Sequence, residues 1–473
     1  MTRYERLAQI MATEIRSGNV AAGSRMPSLR QIIAQHGVSQ STAARAYYLL
    51  EQWGLVRAAE RSGYFVAPRP VNGKATQAVT ADEDEATTVD ISELVFSVLD
   101  AAKQPGIVPL GSAFPSPTFF PLSRLAKSLG HAARSVSPWS TVVDLPPGNE
   151  NLRRQIALRY MRIGISQPAD EIVVTNGALE ALNLCLMAVT QPGDVVAVES
   201  PGFYAALQAV ERLGLRAVEI PVDPQTGLDL DVLANTLRKH PVRACWFMTN
   251  FHNPTGVTLS DAKKKALVDL LAQHDVPLIE DDVYGELHFS PDYPKPAMAF
   301  DRHGLVMHCS SFSKTLAPGY RVGWVSAGRF AERVQRLKLM TTLSASIPAQ
   351  AGIADYLEHG AYERHLKKMR LALRDQRDAL CAAIRRWLPA GTQWTIPDGG
   401  YFLWLRFDKA IDAMELHRRA IGRGISVAPG PIFSATSAFE HCIRLNYGHP
   451  WSPRIDAAIR TLGEILSETV KGA

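Results

Sequence analysis

The side chains best suited to chemistry follow apolar, strand-like runs of the sequence. Thr175–Glu180 comes directly after one such run, and its Gly177 precedes a helical stretch. A glycine turn at a helix N-terminus binds anions, because backbone N–H groups are unpaired there. Ser310–Lys314 follows another run, and Arg321 stands seven residues after the lysine. Arginine binds phosphate or carboxylate through a two-pronged contact, so these segments indicate an anion site beside a lysine amine.

Further polar and aromatic side chains follow neighbouring strand-like runs. Asp281 and Asp282 come at the end of one run, and strand alternation directs the second carboxylate to the opposite face. Phe203 and Tyr204 follow another run, and the sequence does not settle which ring faces the site. Open α/β sheets bind ligands at the carboxyl ends of their strands, so these side chains are expected to converge.

The order of these motifs resembles that of fold-type I aminotransferases of class I/II. The resemblance rests on Ser310–Lys314 with Gly319–Trp324, on His252–Gly256 and on Cys442–Tyr447, and it extends from about residue 106 to residue 470. It implies pyridoxal 5′-phosphate (PLP) as the cofactor, since this fold uses the PLP ring to accept electrons from a bound amine.

The resemblance also implies a role for each group of the cofactor site. Lys314, the predicted catalytic residue, would bond to the PLP aldehyde, Asp281 would pair with the pyridine nitrogen, and Phe203 would stack on the ring. Asn253 and Tyr284 would bind the phenolic oxygen, and the other contacts would hold the phosphate. The implied cofactor-binding residues are Gly177, Ala178, Leu179, Phe203, Asn253, Asp281, Tyr284, Ser311, Ser313, Lys314 and Arg321.

The substrate end of the site depends on one arginine and contains one departure from the family pattern. Arg444, by resemblance, would bind the α-carboxylate of a substrate. Val143 stands where the family has a tyrosine that reaches the cofactor of the partner subunit. His252 has no role that follows from its position, and we interpret it as a histidine of the pocket wall. The sequence therefore does not settle whether the chain completes a full transamination cycle.

The N-terminal region carries the pattern of a small helical domain. Leu7, Ile10, Met11 and Ile15 recur every three or four residues and predict the apolar stripe of a first helix. Ser28 is a good N-cap for a second helix. A third helix follows after a tight turn, and a hairpin-like segment follows that, so the pattern indicates a winged helix-turn-helix.

This region resembles the GntR family of bacterial regulators. The motifs that carry the resemblance include Met26–Arg30, Val38–Thr42 and Gly63–Val66. The third helix would enter the major groove, and the glycine of the wing would let the backbone approach the phosphates. The residues implied to contact DNA are Arg30, Ser39, Gln40, Thr42, Arg45 and Gly63.

The charge distribution allows two interpretations of this region, a surface that binds a polyanion such as double-stranded DNA or a solvated basic face of a small domain. Residues 1–68 hold eight arginines, no lysine and four glutamates, and so carry a net charge of +4. The other 405 residues carry a net charge of only +1. A basic domain attached to a nearly neutral body is typical of proteins that bind a polyanion.

The predicted chain is multidomain, with an all-α winged helix-turn-helix followed by an α/β PLP-dependent transferase fold. The smaller part of the PLP fold is expected to be α+β. The DNA-binding domain is expected over 1–68, a linker with a short helix (90–104) over 69–105, and the PLP domain over 106–473. Within the PLP domain, the large subdomain is expected over about 150–328. The small subdomain is expected to combine about 329–473 with 106–149.

The order of domains resembles that of the MocR subfamily of GntR regulators. The resemblance implies a transcription regulator whose aminotransferase-like domain senses an amine, an amino acid or PLP, in a domain-swapped homodimer. A working PLP-dependent aminotransferase with an attached DNA-binding domain is the alternative, and a sensor of PLP alone is a third interpretation. The five scattered cysteines show no metal-ligand spacing, so we predict no metal site and reduced thiols in the cytoplasm. No apolar run is long enough for a membrane span, so no membrane partner is expected.

Overall fold

A computed structural model describes residues 2–16, 20, 23–53, 55–59, 63–67, 86–104, 106–408 and 410–472. They divide into two compact units, one within the first 67 residues and the other built from most residues after 85. Most of the first part of the predicted linker, residues 69–89, lies outside the described residues. None of the described helices is long and apolar enough to cross a membrane.

The N-terminal unit is the predicted winged helix-turn-helix, and this prediction of fold is confirmed. Its core contains Leu7, Met11 and Ile15 of the first helix, whereas Ile10 is 48% exposed and lies outside the buried stripe. Its elements are α1 (Arg3–Arg16), α2 (Leu29–His36), α3 (Gln40–Gln52), β1 (Val56–Ala59) and β2 (Gly63–Val66), with β1 and β2 paired antiparallel.

Side-chain caps fix where the second and third helices begin. Ser28 accepts a 3.3 Å hydrogen bond from the backbone N–H of Gln31, and the Gln31 side chain accepts one from the N–H of Ser28. This reciprocal arrangement is a capping box, and it confirms the predicted N-cap. Gly37 ends α2 in the left-handed conformation at φ 60°. Ser39 then caps α3 by accepting a 3.2 Å hydrogen bond from the N–H of Thr42.

The second unit alternates strands and helices, as predicted. Its helices are α4 (Ser92–Ala101), α5 (Leu122–Ser135), α6 (Ser140–Val143), α7 (Glu150–Arg162), α8 (Ala178–Val189), α9 (Tyr204–Arg212), α10 (Leu230–Lys239), α11 (Asp261–Gln273), α12 (Ala331–Thr342), α13 (Ile347–His359), α14 (Tyr362–Trp387), α15 (Ala413–Gly422) and α16 (Pro453–Gly472). Its strands are β3 (Thr87–Thr88), β4 (Ile172–Thr175), β5 (Val195–Ser200), β6 (Arg216–Asp223), β7 (Gly227–Leu228), β8 (Val242–Phe247), β9 (Leu278–Asp281), β10 (Val306–Ser311), β11 (Gly323–Ser326), β12 (Gln393–Trp394), β13 (Phe402–Arg406), β14 (Ala428–Pro429) and β15 (Cys442–Asn446).

The large sheet is mixed and has the order β3-β6-β5-β8-β9-β10-β11-β4, with β7 paired to β6. The neighbouring strands β6, β5, β8, β9 and β10 run parallel to one another, while β11 is antiparallel to both β10 and β4. All six residues of β5 and all four of β9 are buried, as expected for strands covered on both faces. The parallel strands therefore end at one edge of the sheet, where the candidate site lies.

A second, antiparallel sheet has the order β12-β13-β15-β14. The chain before α5 packs against it, because Val108 pairs with Ile425 and the side chain of Asn446 donates 2.8 Å hydrogen bonds to the carbonyls of Ser112 and Phe114. Residues 106–116 therefore lie against the small sheet, and we propose that they belong to the small subdomain.

Other parts of the expected small subdomain pack elsewhere. Helices α5, α7 and α13 share one apolar cluster with β4 and β11, which belong to the large sheet. The cluster extends to Leu366 at the start of α14. We therefore propose that residues 117–149 and 329–366 belong to the large subdomain, and that the small subdomain begins within α14. The sequence did not separate the two because both regions are helical.

Candidate functional site

Lys314 lies just beyond β10, and its side chain is partly buried. Its Nζ donates a 2.9 Å hydrogen bond to the carbonyl of Ala113 and lies 3.9 Å from the centre of the Phe114 ring. Burial, and after it the positive charge of Arg444, lower the pKa of Lys314 to about 7, against the opposing attraction of Asp281. A lysine with such a pKa has a large neutral fraction near neutral pH, and the neutral amine is the nucleophilic form.

Asp281 is the last residue of β9 and is buried with one unsatisfied oxygen. Its Oδ1 has no hydrogen-bond partner among the described residues. Burial, and after it the negative charge of Asp282, raise the pKa of Asp281 to about 7, although Lys314 opposes the rise. A buried carboxylate oxygen without a donor is costly. A ligand with a protonated ring nitrogen would supply the missing donor, so this carboxylate fits PLP.

The neighbouring carboxylate, Asp282, is committed to a different network. Its Oδ2 lies 3.1 Å from Nε2 of His308, and its Oδ1 accepts a 3.2 Å hydrogen bond from the side chain of Asn250. The other ring nitrogen of His308 lies 2.7 Å from the hydroxyl of Tyr160. These partners occupy the Asp282 carboxylate, whereas Asp281 keeps an unpaired oxygen. The two carboxylates therefore have different surroundings, and Asp281 is the one with an oxygen available to a ligand.

Arg444, in β15, is a buried guanidinium that has no carboxylate partner among the described residues. Its Nη1 donates a 2.8 Å hydrogen bond to Oδ1 of Asn253, and its Nη2 donates a 2.8 Å hydrogen bond to the carbonyl of Gly111. Its Nε and the side-chain nitrogen of Asn253 are buried without partners. The carbon of the guanidinium lies 4.1 Å from the centre of the Phe402 ring. A buried charge of this kind is stabilised when an anion binds to it.

Aromatic rings enclose the space around this guanidinium. Tyr284 is buried and meets the ring of Tyr401 edge-on, with 5.3 Å between ring centres. Burial raises the pKa of Tyr284 despite the nearby charge of Arg444, so its phenol stays protonated and can donate a hydrogen bond. The hydroxyl of Tyr401 donates a 3.1 Å hydrogen bond to Ala113, which is also the acceptor for Lys314.

The predicted anion cradle brings the start of α8 next to Arg321. Gly177 has φ 85°, and a Cβ at this position would collide with the Arg321 guanidinium. That guanidinium donates hydrogen bonds of 3.1 Å to the carbonyl of Asn176 and 3.2 Å to Oγ of Ser313. Ser311 ends β10, and its Oγ accepts a 3.3 Å hydrogen bond from the N–H of Ser313. Hydroxyls, a guanidinium and a helix N-terminus together suit a phosphate.

The rest of the predicted cofactor contacts lie around this cradle and across from it. Ala178 and Leu179 begin α8, and Leu179 is half-exposed. Tyr204 is buried, with its ring centre 6.0 Å from that of Phe433 and its phenol close enough to feel the charge of Arg444. Phe203 is partly exposed, so its ring is the more available of the pair for stacking on a ligand.

Sequence reasoning missed one wall of the site and left one histidine without a role. The wall is residues 111–114, which contact both Arg444 and Lys314 although they lie about two hundred positions before the lysine. No motif marks this segment, and its only local signal is the glycine Gly111. His252 is buried, with Nδ1 2.8 Å from Oγ1 of Thr255 and Nε2 3.4 Å from a carboxylate oxygen of Glu199, which fits a pocket wall.

Val143, the position that departs from the family pattern, ends α6 and is 74% exposed. Trp139 and Val142 nearby are also exposed. Three exposed apolar side chains within five residues form a surface that water solvates poorly.

The predicted DNA contacts lie on the surface of the N-terminal unit. Arg30, Gln40 and Arg45 are exposed, and the guanidinium of Arg45 lies 5.5 Å from the centre of the Tyr4 ring. Gly63 opens β2 with φ 91°. Ser39 and Thr42 have a local role too, because their hydroxyl oxygens are 2.9 Å apart and Ser39 caps α3. The predicted positions thus cluster at the start of α3, at α2 and at the hairpin.

Comparisons with known proteins match both units. The family model of aminotransferase class I and II matches residues 143–462, and that of bacterial regulatory proteins of the gntR family matches residues 3–66. The HTH-type transcriptional regulator YdcR of Escherichia coli (strain K12) is 46% identical over 99% of this chain and 100% of its own length.

Solved structures resemble the larger unit. The multiple substrate aminotransferase of Thermococcus profundus has a TM-score of 0.75 at 28% identity, covering 81% of this chain and 96% of that one. Kynurenine aminotransferase of Pyrococcus horikoshii, solved in complex with PMP, has a TM-score of 0.74 at 30% identity, covering 79% and 94%. The fold predicted for this part of the chain is therefore confirmed.

Proposed function

Because the chain belongs to the family of HTH-type transcriptional regulators that join a gntR-type domain to an aminotransferase class I and II domain, we propose that a free α-amino acid, bound in its PLP pocket, controls its binding to DNA. The chain is a DNA-binding transcription regulator, and its cofactor is PLP.

The buried guanidinium of Arg444 is the observation that carries the choice of an amino acid. A plain amine would leave this charge without an anion, and so would PLP alone, because the phosphate has its own cradle at Arg321. An α-amino acid offers an amino group and a carboxylate one carbon apart. The carboxylate satisfies Arg444, and the amino group reaches the neighbourhood of Lys314.

PLP, when bound, supplies an electron-accepting ring for chemistry at the carbon that carries the amino group. Asp281 is proposed to accept the hydrogen bond of the ring nitrogen and so favour its protonated form. Asn253 and Tyr284 donate to the phenolic oxygen, and the aromatic face of Phe203 excludes water from one side of the ring. Lys314, in its neutral form, is the nucleophile that holds the cofactor.

The phosphate is proposed to bind where a positive charge, hydroxyls and free N–H groups converge. Arg321 supplies the charge and a two-pronged contact. The N–H groups at the start of α8 add the partial positive charge of a helix N-terminus. The residues proposed to form this cradle are Gly177, Ala178, Leu179, Ser311, Ser313 and Arg321.

The DNA-binding unit is proposed to read the major groove with the start of α3. Gln40 and Arg45 are the exposed side chains there that can bond base edges or phosphates. Ser39 and Thr42 would bind phosphates while keeping the cap of α3, Arg30 would bind from α2, and Gly63 would bring the hairpin backbone close to DNA.

A homodimer is proposed as the working form, in the domain-swapped arrangement of the subfamily. The swapped arrangement is what the resemblance implies, and the support for a dimer is a set of large apolar side chains that one chain leaves exposed. They are Trp139, Val142, Val143, Leu339, Met340 and Leu343. Analytical ultracentrifugation tests the proposal: a dimer is expected at micromolar concentration, and a monomer would contradict it. All five cysteines are free and buried, which supports the cytoplasm as the compartment.

Two measurements on the full-length, PLP-loaded chain test the proposed function. The absorbance of the cofactor is followed while amino acids and matched amines lacking the carboxylate are added. Amino acids are expected to change the spectrum at concentrations at least tenfold lower than their amines, since a charge-assisted hydrogen bond contributes about 1.5–3 kcal/mol. Equal concentrations for both classes would contradict the role of Arg444.

The second measurement concerns DNA. The chain is expected to bind the DNA upstream of its own gene more tightly than a shuffled sequence at about 0.15 M salt, where non-specific binding is weak. The variant Arg45→Ala should lose this preference, while Arg124→Ala, an exposed arginine in the other unit, keeps it. Equal affinity for both DNAs would contradict sequence-specific regulation.

Aminotransferase activity is a second candidate function. The observation that favours it is that a lysine amine with a pKa of about 7, a buried aspartate and a buried arginine meet in one pocket. Continuous formation of a 2-oxo acid from an amino acid would establish it. A spectral change that stops without this product would leave the regulator as the sole function of the pocket.

A further inference from the structure

Phe114 occupies a position that neither the motifs nor the proposed roles account for. Phe114 is 45% exposed, although its ring centre lies only 3.9 Å from the amine of Lys314. Large apolar side chains are exposed at a cost, and one placed beside a ligand-binding amine offers its face to whatever binds there.

The backbone around Phe114 is fixed rather than loose. Its N–H donates a 3.0 Å hydrogen bond to Oγ of Ser112, and its carbonyl accepts a 2.8 Å hydrogen bond from Asn446. Asn446 lies in β15, the strand that also carries Arg444. The ring of Phe114 is therefore placed by the same strand that places the carboxylate-binding guanidinium.

The segment 111–114 spans the two groups that an amino acid would contact. Its first residue, Gly111, accepts a hydrogen bond from Arg444, and its third residue, Ala113, accepts one from Lys314. The α-carbon of a ligand held between the guanidinium and the amine lies beside this segment. Phe114 therefore comes within van der Waals reach of the first atoms of the ligand side chain.

The charges around the amine argue against a charged ligand side chain. The charged groups that shift the pKa of Lys314 are Arg444, Asp281 and Arg321. Each has a partner in the proposed function, namely the α-carboxylate, the ring nitrogen and the phosphate. A second carboxylate would meet no further cation among these groups. The ring of His449 bonds to the backbone of Phe114, but burial lowers the pKa of this histidine, so it stays neutral near neutral pH. A second ammonium would meet two arginines.

We propose that the ligand of this pocket is an α-amino acid with an uncharged aromatic side chain, and that Phe114 determines this specificity. The inference rests on the proposed function and names the substrate class of the same site. Stacked or edge-to-face pairs add to the gain from apolar burial. The ring of the ligand would cover the exposed face of Phe114.

The test is a binding titration of the PLP-loaded, full-length chain with L-phenylalanine, L-leucine, L-glutamate, L-lysine and L-alanine. Binding is followed by cofactor absorbance and by calorimetry, and neither readout requires turnover. We expect L-phenylalanine to bind about tenfold or more tightly than L-glutamate or L-lysine. Tighter binding of either charged amino acid would overturn the inference while leaving the proposed function intact.

Variants separate the role of Phe114 from a general effect on the pocket. Phe114→Ala is expected to weaken the binding of L-phenylalanine about tenfold and that of L-alanine less than about threefold. Phe114→Leu keeps apolar bulk and should lose less affinity for L-phenylalanine than Phe114→Ala. The control is Phe96→Ala, which removes a similarly exposed ring on α4. Equal losses for both ligands in Phe114→Ala would overturn the role of this residue. If no amino acid binds the unaltered chain, the proposed function fails with it.

Discussion

The guanidinium of Arg444 donates a 2.8 Å hydrogen bond to the side-chain oxygen of Asn253, and this bond joins two binding sites. Arg444 is the proposed receptor for the carboxylate of the effector, and Asn253 is proposed to bind the phenolic oxygen of PLP. An anion that binds the arginine therefore alters a direct partner of a cofactor ligand. This contact gives a physical reason why binding of an amino acid should change the spectrum of the cofactor.

Replacement of Arg444 should separate effector binding from cofactor binding. Arg444→Gln is expected to weaken amino-acid binding about 100-fold, because the carboxylate loses charge-assisted hydrogen bonds of about 1.5–3 kcal/mol each. PLP affinity should change less, by no more than about tenfold, because Asn253 loses one hydrogen-bond partner and the phosphate cradle is unaltered. Cofactor absorbance measures both affinities in one titration.

Two further variants show whether a loss of affinity in Arg444→Gln comes from the missing contact or from misfolding. Arg444→Lys keeps the charge without the planar fork and should lose part of the affinity. Arg418→Gln removes an arginine whose side chain is 67% exposed and should change nothing. Unaltered amino-acid affinity in Arg444→Gln would refute the carboxylate site.

Asp281 should destabilise the cofactor-free chain at alkaline pH. Its pKa of about 7, above the ordinary 3.8, means that the folded chain retains a proton which the unfolded chain has released. The contribution of this group to the free energy of unfolding therefore falls as pH rises from about 4 to about 7, and it stays low above that window. Asp281→Asn should raise the free energy of unfolding by about 4 kcal/mol at about pH 8.

Chemical denaturation of the cofactor-free chain measures this effect, and Asp269→Asn on α11 serves as an exposed control. The advantage of Asp281→Asn should shrink as pH falls to about 5. With PLP added, the parent should become more stable than the variant, because the asparagine cannot bind the ring nitrogen as a carboxylate does. A variant that is less stable than the parent at alkaline pH without PLP would contradict the buried, unpaired state of this carboxylate.

The amine of Lys314 should react at a pH where other lysines are protonated. Burial and the charge of Arg444 lower its pKa to about 7. Labelling of the cofactor-free chain with trinitrobenzenesulfonate should therefore rise through a midpoint near pH 7 at this residue and then level off. Mass spectrometry of the peptide gives the rate, and the peptide with the exposed Lys127 is the internal control. A rate at Lys314 that keeps rising to about pH 10, as for lysine in water, would contradict the account.

Gly177 should be required for the phosphate and not only for the turn. Gly177→Ala is expected to weaken PLP about 10- to 100-fold, because the new Cβ displaces the Arg321 guanidinium and its charge-assisted bonds. Gly164→Ala is the matched control, since Gly164 has φ 80° and open space around its Cβ position. Both variants carry backbone strain, so only the loss specific to Gly177 reports on the cradle. Equal PLP affinity in the two variants would remove Arg321 from the phosphate site.

Much of this site was predictable because its motifs follow the strands that carry them. Asp281 was separated from Asp282 by the two-residue period of a strand, a rule that depends on local backbone alone. Lys314 and Arg321 are seven residues apart in one segment, so their proximity also follows from local sequence.

The features that could not be predicted depend on contacts between distant parts of the chain. The carbonyl of Ala113 and the ring of Phe114 meet Lys314 only because the small sheet holds residues 111–114 in place. Ile10 matched the helical period of α1 and is nevertheless exposed, since periodicity does not fix the width of the buried stripe. Phe203 is partly exposed whereas Tyr204 is buried, a difference that no single-sequence pattern reports.

The most direct test of the account is the affinity of the PLP-loaded chain for DNA upstream of its own gene, measured by fluorescence anisotropy with and without a saturating amino acid. Cofactor absorbance in the same sample establishes that the pocket is occupied. The account predicts that occupancy changes the dissociation constant about fivefold or more, a common size for coupling between two sites, and that Arg444→Gln abolishes the change. An unchanged dissociation constant at full occupancy would contradict the claim that this pocket controls DNA binding.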